Sequence, residues 1–125
     1  MSRLAAVVLA TTLMLTSSVV VAQNMIVSDF IAKADALKAK GAMAMFSGDI
    51  KVLTGEIKGS FKVLRAQNDA DKVAKRKPMS CVPHPAQISS DEIITSFKAI
   101  PADQRQHTTV QTGINNMMAK RYPCP

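Results

Sequence analysis

The chain has no tryptophan, one tyrosine (Tyr122) and four scattered phenylalanines. Platforms that stack unpaired bases need clustered aromatic rings, so the composition argues against nucleic acid as a partner. Glycine is sparse, five in 125 residues, and forms neither a phosphate-cradling loop nor a dinucleotide fingerprint. Beyond residue 22 there is no long uncharged apolar run, which leaves no stable membrane span in the rest of the chain. No stretch alternates apolar and polar residues between hairpin turn signals, and there are no internal repeats. Nothing calls for a cofactor. These absences point to an all-α domain of modest size.

The apolar run that does exist lies at the start. Arg3 supplies a short positive region, Leu4 to Val21 is free of charge, and Val20-Val21-Ala22 ends in small residues. This is the pattern of a secretory signal peptide over residues 1–22, cut before Gln23. Thr11, Thr12, Thr16, Ser17 and Ser18 make the run too weakly apolar for a convincing anchor; an uncleaved transmembrane helix is the alternative. The expected location is the periplasm or the outside of the cell. Residues 23–125 then make one domain of roughly 100 residues. Its formal net charge is +6, one below the +7 of the whole chain because only Arg3 is removed. Such a balance suits an acidic protein, an anionic surface or plain solubility.

Both cysteines, Cys81 and Cys124, fall in this domain. An even count in an oxidising compartment reads as a disulfide, here closing a long loop. A domain this small gains much from such a staple.

The periodicity predicts about four helices. Ser28 or Asp29 can cap a first, with Phe30, Ile31, Ala34 and Leu37 on one side; Gly41 interrupts it, and Met43, Met45 and Phe46 close the segment. Ser47 can cap a second, with Asp49 in its first turn. Ile50, Leu53, Ile57, Phe61 and Leu64 then form the clearest amphipathic stripe, opposite Lys51, Glu56, Lys58, Lys62 and Arg65. From Asn68 to Lys77 the chain reads as a fraying end and linker. Pro78, Pro83 and Pro85 mark a loop around Cys81 and His84. Ser89 and Glu92 stand at capping-box spacing before a helix burying Ile93, Ile94, Phe97 and Ile100. Pro101 to Arg105 reads as a tight or single helical turn. A last helix from about Thr108 to Arg121 buries Val110, Ile114 and Met117 or Met118.

Little of this suggests catalysis. Cys81, His84, His107 and Cys124 could make a zinc site, and a Cys–His pair could be a nucleophile with its base, but a disulfide consumes both thiols. No metal site is expected. Asp91 and Glu92 are adjacent on a helix, so they diverge and serve its first turn. Lys120 and Arg121 complement the far end of the last helix dipole. The basic cluster Lys72, Lys75, Arg76 and Lys77, with His84 in the following loop, is the candidate contact surface; a solvated helix end is the plainer alternative.

Cys81-Val82-Pro83, the capped helix with Ile93-Ile94 and Phe97, Ile100-Pro101 with Arg105, and the close on Tyr122-Pro123-Cys124 resemble the Rap/Tai-type immunity proteins. These are periplasmic, all-helical, disulfide-bonded partners of type VI secretion amidase effectors. The resemblance covers about Cys81 to Cys124. In the N-terminal half, Leu53-Thr54-Gly55-Glu56-Ile57 lacks the Cys and Tyr often found in family members. The resemblance implies a binding protein, not an enzyme, that blocks the active-site groove of a secreted peptidoglycan amidase. It also implies a homodimer, for which Met43 to Phe46 or the stripe from Ile50 to Leu64 could supply the interface. The competing expectation is a general envelope or stress protein with no dedicated toxin, binding anionic lipid or unfolded clients.

Overall fold

The computed structural model describes residues 25–125, so the signal-peptide reading lies outside the described residues. Helix α1 spans Val27–Lys40, a 3-10 helix Gly41–Phe46, α2 Gly48–Val73, α3 Ser90–Lys98, α4 Ala102–Arg105 and α5 Val110–Arg121. The protein is a small all-α bundle, and α4 is the helical turn expected after Pro101. No helix among the described residues is long and apolar enough to cross a membrane.

Helix α1 buries Val27, Phe30, Ile31 and Ala34, one helical stripe. It starts one residue before the expected cap at Ser28 and uses no side-chain cap. Ile26 instead forms an isolated antiparallel bridge with Thr109. The Val27 amide donates to the Thr108 carbonyl at 2.8 Å, and the Val110 amide to that of Met25 at 2.7 Å. A tertiary backbone pair thus satisfies the first amide of α1 and fixes where the helix begins without a side-chain cap. Gly41, at φ +55°, ends the helix in a conformation other residues adopt only under strain. The chain beyond it leaves the core, and Met43, Met45 and Phe46 are 67%, 81% and 84% exposed.

Ser47 caps α2 as expected, its Oγ accepting from the Asp49 amide at 3.4 Å. Asp49 receives Lys33 Nζ at 2.9 Å, and this bond holds its carboxyl below the ordinary value. The stripe is rotated from its expected centre. Leu53, Glu56, Ser60, Leu64 and Asn68 are buried, whereas Ile50, Ile57 and Phe61 are half-buried. Glu56 therefore belongs to the inner face and not to the charged one. Nor does α2 fray at Asn68. It continues to Val73 because Asn68 is buried and its Nδ2 donates to Ser80 Oγ at 3.1 Å. The helix stops in a Schellman motif: the Arg76 amide reaches the Asp71 carbonyl at 2.8 Å and the Lys75 amide that of Lys72 at 3.0 Å. Lys75 sits at φ +55°, the position that favours glycine.

The capping box on α3 is complete: the Ser89 amide donates to Glu92 Oε2 at 2.8 Å and the Glu92 amide to Ser89 Oγ at 3.2 Å. At its other end Arg105 donates to the carbonyls of Ile100 and Lys98, both at 2.7 Å. Phe97 is fully buried and meets Phe30 edge-on at 5.3 Å between centroids. Helix α5 starts at Val110 behind Thr109, whose hydroxyl accepts from the Thr112 amide at 3.1 Å. It buries Val110, Ile114 and Met118 against α2. Gly113 allows a close approach of α5 to α3: a Cβ there would lie 2.8 Å from Phe97 Cε1. Cys81 and Cys124 are joined, with Cα atoms 4.9 Å apart, and Arg121 pairs with Glu92.

Candidate functional site

Two concavities flank α2. One, of about 580 Å³, lies between α1, α2 and α3 and is walled chiefly by Phe30, Leu37, Leu53, Ile57, Ile93 and Ile94. Lys38 and Asp91 pair at 3.4 Å at its edge. Its chemistry is that of an incompletely filled core groove.

The other, of about 490 Å³, lies between the C-terminal half of α2 and the proline loop. Phe61, Leu64, Arg65, Asn68, Asp69 and Lys72 come from the helix, and their three- and four-residue spacing places them on one side of it. Val82, Pro83, His84 and Ala86 come from the loop, beside Cys81. The loop is fixed at its root. The Cys81 amide donates to the Tyr122 carbonyl at 2.8 Å, the disulfide ties it to Cys124, and Ser80, buried, accepts from Asn68.

The cleft brings together some of the predicted contact residues and not others. Lys72 and His84 line it. Lys75, Arg76 and Lys77 lie just past the helix end and do not. Arg76 is committed to Asp71, with Nε at 3.0 Å and Nη2 at 2.7 Å, and Lys75 serves the helix stop. Lys72 is held only loosely by Asp69 at 3.7 Å, both side chains being largely exposed. Arg65, read from the sequence as part of the solvent face, is in the cleft wall and makes no ion pair or side-chain hydrogen bond with the described residues. Asn68 is the other residue the sequence reading missed. Its signal was there: Asn68 continues the step from Phe61 and Leu64 by seven and four residues.

The remaining ionisable groups are structural. Glu92 is held down to about 2, chiefly by the Arg121 guanidinium and then by the Ser89 amide and hydroxyl. Asp91 points instead toward Lys38, as adjacent helical residues must. Glu56, buried, is pushed up by loss of solvation against a smaller opposing effect of the Met25 backbone, and its Oε1 has no partner among the described residues. No group of three or more His, Cys, Asp or Glu among the described residues could hold a metal ion. The thiols that a zinc or nucleophile reading would need are joined in the disulfide. What the cleft offers is two cations with one carboxylate, Asp69, beside them, an amide, an imidazole and apolar walls, groups suited to recognition. Compared with protein-family models, curated proteins and solved structures, the chain matches none.

Proposed function

We propose that the protein is exported through a signal peptide at residues 1–22 and acts in the periplasm as a binding protein, not an enzyme. Like the Rap/Tai-type immunity proteins its C-terminal half resembles, it would neutralise a secreted peptidoglycan amidase by occluding the active-site groove. The observation that carries this reading is the cleft in which Arg65 and Lys72 of α2 face His84 on a loop rooted by a disulfide. A fixed concave surface with unspent charge suits a dedicated partner, since steering and preorganisation both favour tight recognition. The Cys81–Cys124 bond supports export, because such bonds persist in oxidising compartments.

The test is capture with the oxidised protein from a periplasmic extract, followed by a peptidoglycan hydrolysis assay. A single stoichiometric amidase, silenced on binding, is expected. No stoichiometric partner, or an amidase bound yet fully active, would sink the reading. A gene for a small secreted amidase beside this one would strengthen it.

The exposed Met43, Met45 and Phe46 favour one further contact, a homodimer closed through this segment. Sedimentation equilibrium should give a dimer mass that falls to the monomer in Met45→Gln/Phe46→Gln. The same side chains favour the rival reading, an envelope protein binding anionic lipid or unfolded clients, for which capture would return many partners and no stoichiometric one.

A further inference from the structure

We propose that the cleft between α2 and the proline loop takes an extended acidic segment of a protein chain. One carboxylate would sit on Arg65 and Lys72, one main-chain N–H on the side-chain amide of Asn68, and one apolar side chain against Phe61, Val82 and Pro83. This deepens the binding role proposed above and rests on it only for the identity of the partner.

Asn68 decides the ligand class. It is 94% buried, as its 6% exposure shows, and lies in the cleft wall. Its Nδ2 is committed to Ser80 Oγ, and its Oδ1 has no partner among the described residues. A buried acceptor left unpaired is costly, so a ligand that supplies a donor gains more than a new contact would on the surface. With Nδ2 held by Ser80, the edge left unpaired is the acceptor Oδ1, which asks a ligand for a donor. Arg65, free of ion pairs with the described residues, and Lys72, loosely held by Asp69, supply the charge.

These groups discriminate. Phosphate would satisfy the cations but bring no donor for Asn68. Asp69 stands among the cations and opposes a densely charged polyanion. An extended peptide offers an amide N–H, a single carboxylate and an apolar side chain within a few residues, because successive side chains point to opposite sides. The guanidinium of Arg65 suits a carboxylate through paired hydrogen bonds.

The test is a ¹⁵N–¹H titration of the oxidised protein with the blocked tetrapeptide acetyl-Asp-Leu-Asp-Leu-amide. The Asn-Leu-Asn-Leu counterpart and inorganic phosphate are the controls. The acidic peptide should shift the side-chain amide resonances of Asn68 and the Nε–H of Arg65. The neutral peptide should bind roughly tenfold more weakly or worse, and phosphate should leave the Asn68 amide unmoved. Arg65→Gln, at an exposed position, should weaken the acidic peptide by about tenfold while leaving the unfolding midpoint unchanged. Equal binding of both peptides, no shift at the cleft, or phosphate reproducing every shift would each overturn the proposal. Peptide binding without an amidase partner would leave the cleft standing and remove the immunity reading. An amidase complex indifferent to Arg65→Gln would do the reverse.

Discussion

The two ends of α2 are built differently. Its N-terminal end follows a glycine at positive φ and an exposed 3-10 turn, held by the Ser47 cap and the Lys33–Asp49 pair. Its C-terminal end is closed by a Schellman motif, a buried Asn68–Ser80 bond and a loop stapled to the C-terminus. Both ends border a concavity, but only the second has charge on rigid supports. A single helix can thus carry a loosely tethered apolar segment at one end and a preorganised polar cleft at the other. The difference lies in which end the rest of the chain returns to.

The contrast can be broken at the staple. Cys81→Ser/Cys124→Ser removes a bridge between residues 43 apart in sequence; the chain-entropy estimate puts the loss at about 4 kcal/mol. Urea unfolding of oxidised and variant protein measures it, and a loss below about 1 kcal/mol would mean the C-terminal end is held by packing alone. Between the ends, Gly113→Ala drives a methyl into Phe97 and should cost about 1–3 kcal/mol, read as a lower unfolding midpoint. Lys75→Gly relieves a left-handed residue at the firm end and should add about 1 kcal/mol; no gain would show that the helix stop carries no strain.

Two carboxylates sharpen the comparison through pH. Glu56, on the inner face of α2, has its pKa raised above the ordinary 4.5 by burial. The folded state then holds its proton more tightly, and stability falls as pH rises through 4.5 toward the folded value. Glu92, beside the stapled C-terminus, is depressed to about 2, so its contribution is present above 4.5 and lost as pH falls toward 2. Glu56→Gln should raise the melting temperature at pH 7 and lose that advantage near pH 3. Glu92→Gln should flatten the acid limb between pH 4.5 and 2. Melting curves across pH check both signs. The smallest effect belongs to the loose end: Met45→Gln/Phe46→Gln, both largely exposed, should change stability by less than about 0.5 kcal/mol.

Much of the bundle was legible in the sequence because its signals are local. Ser47, Ser89 with Glu92, Gly41 and Pro101 mark ends by chemistry that acts within a turn, and the disulfide follows from two cysteines and the proposed export. The misreadings share one cause. Glu56 and Asn68 look like surface residues by type, but the Met25 backbone meets the first and the Ser80 loop covers the second. The start of α1 was misplaced for the same reason, since Thr108 and Thr109 provide what no neighbour does. In the cleft, Lys72 and His84 were found from charge and loop position. Arg65 was missed because the opposite wall of the cleft is the proline loop itself, remote from it in sequence.

The pairing of Ile26 with Thr109 has a consequence for the order of assembly. Helical bundles usually form fast because their contacts are close in sequence. Here the beginning of α1 is completed by the beginning of α5, and α2 finds its main packing surface on that same last helix. Closing such a span carries a loop-entropy cost before any contact returns it. The individual helices can flicker early, but the core must wait for the final element. In its local structure the protein is helical; in its folding kinetics it should behave like a chain whose ends must meet first.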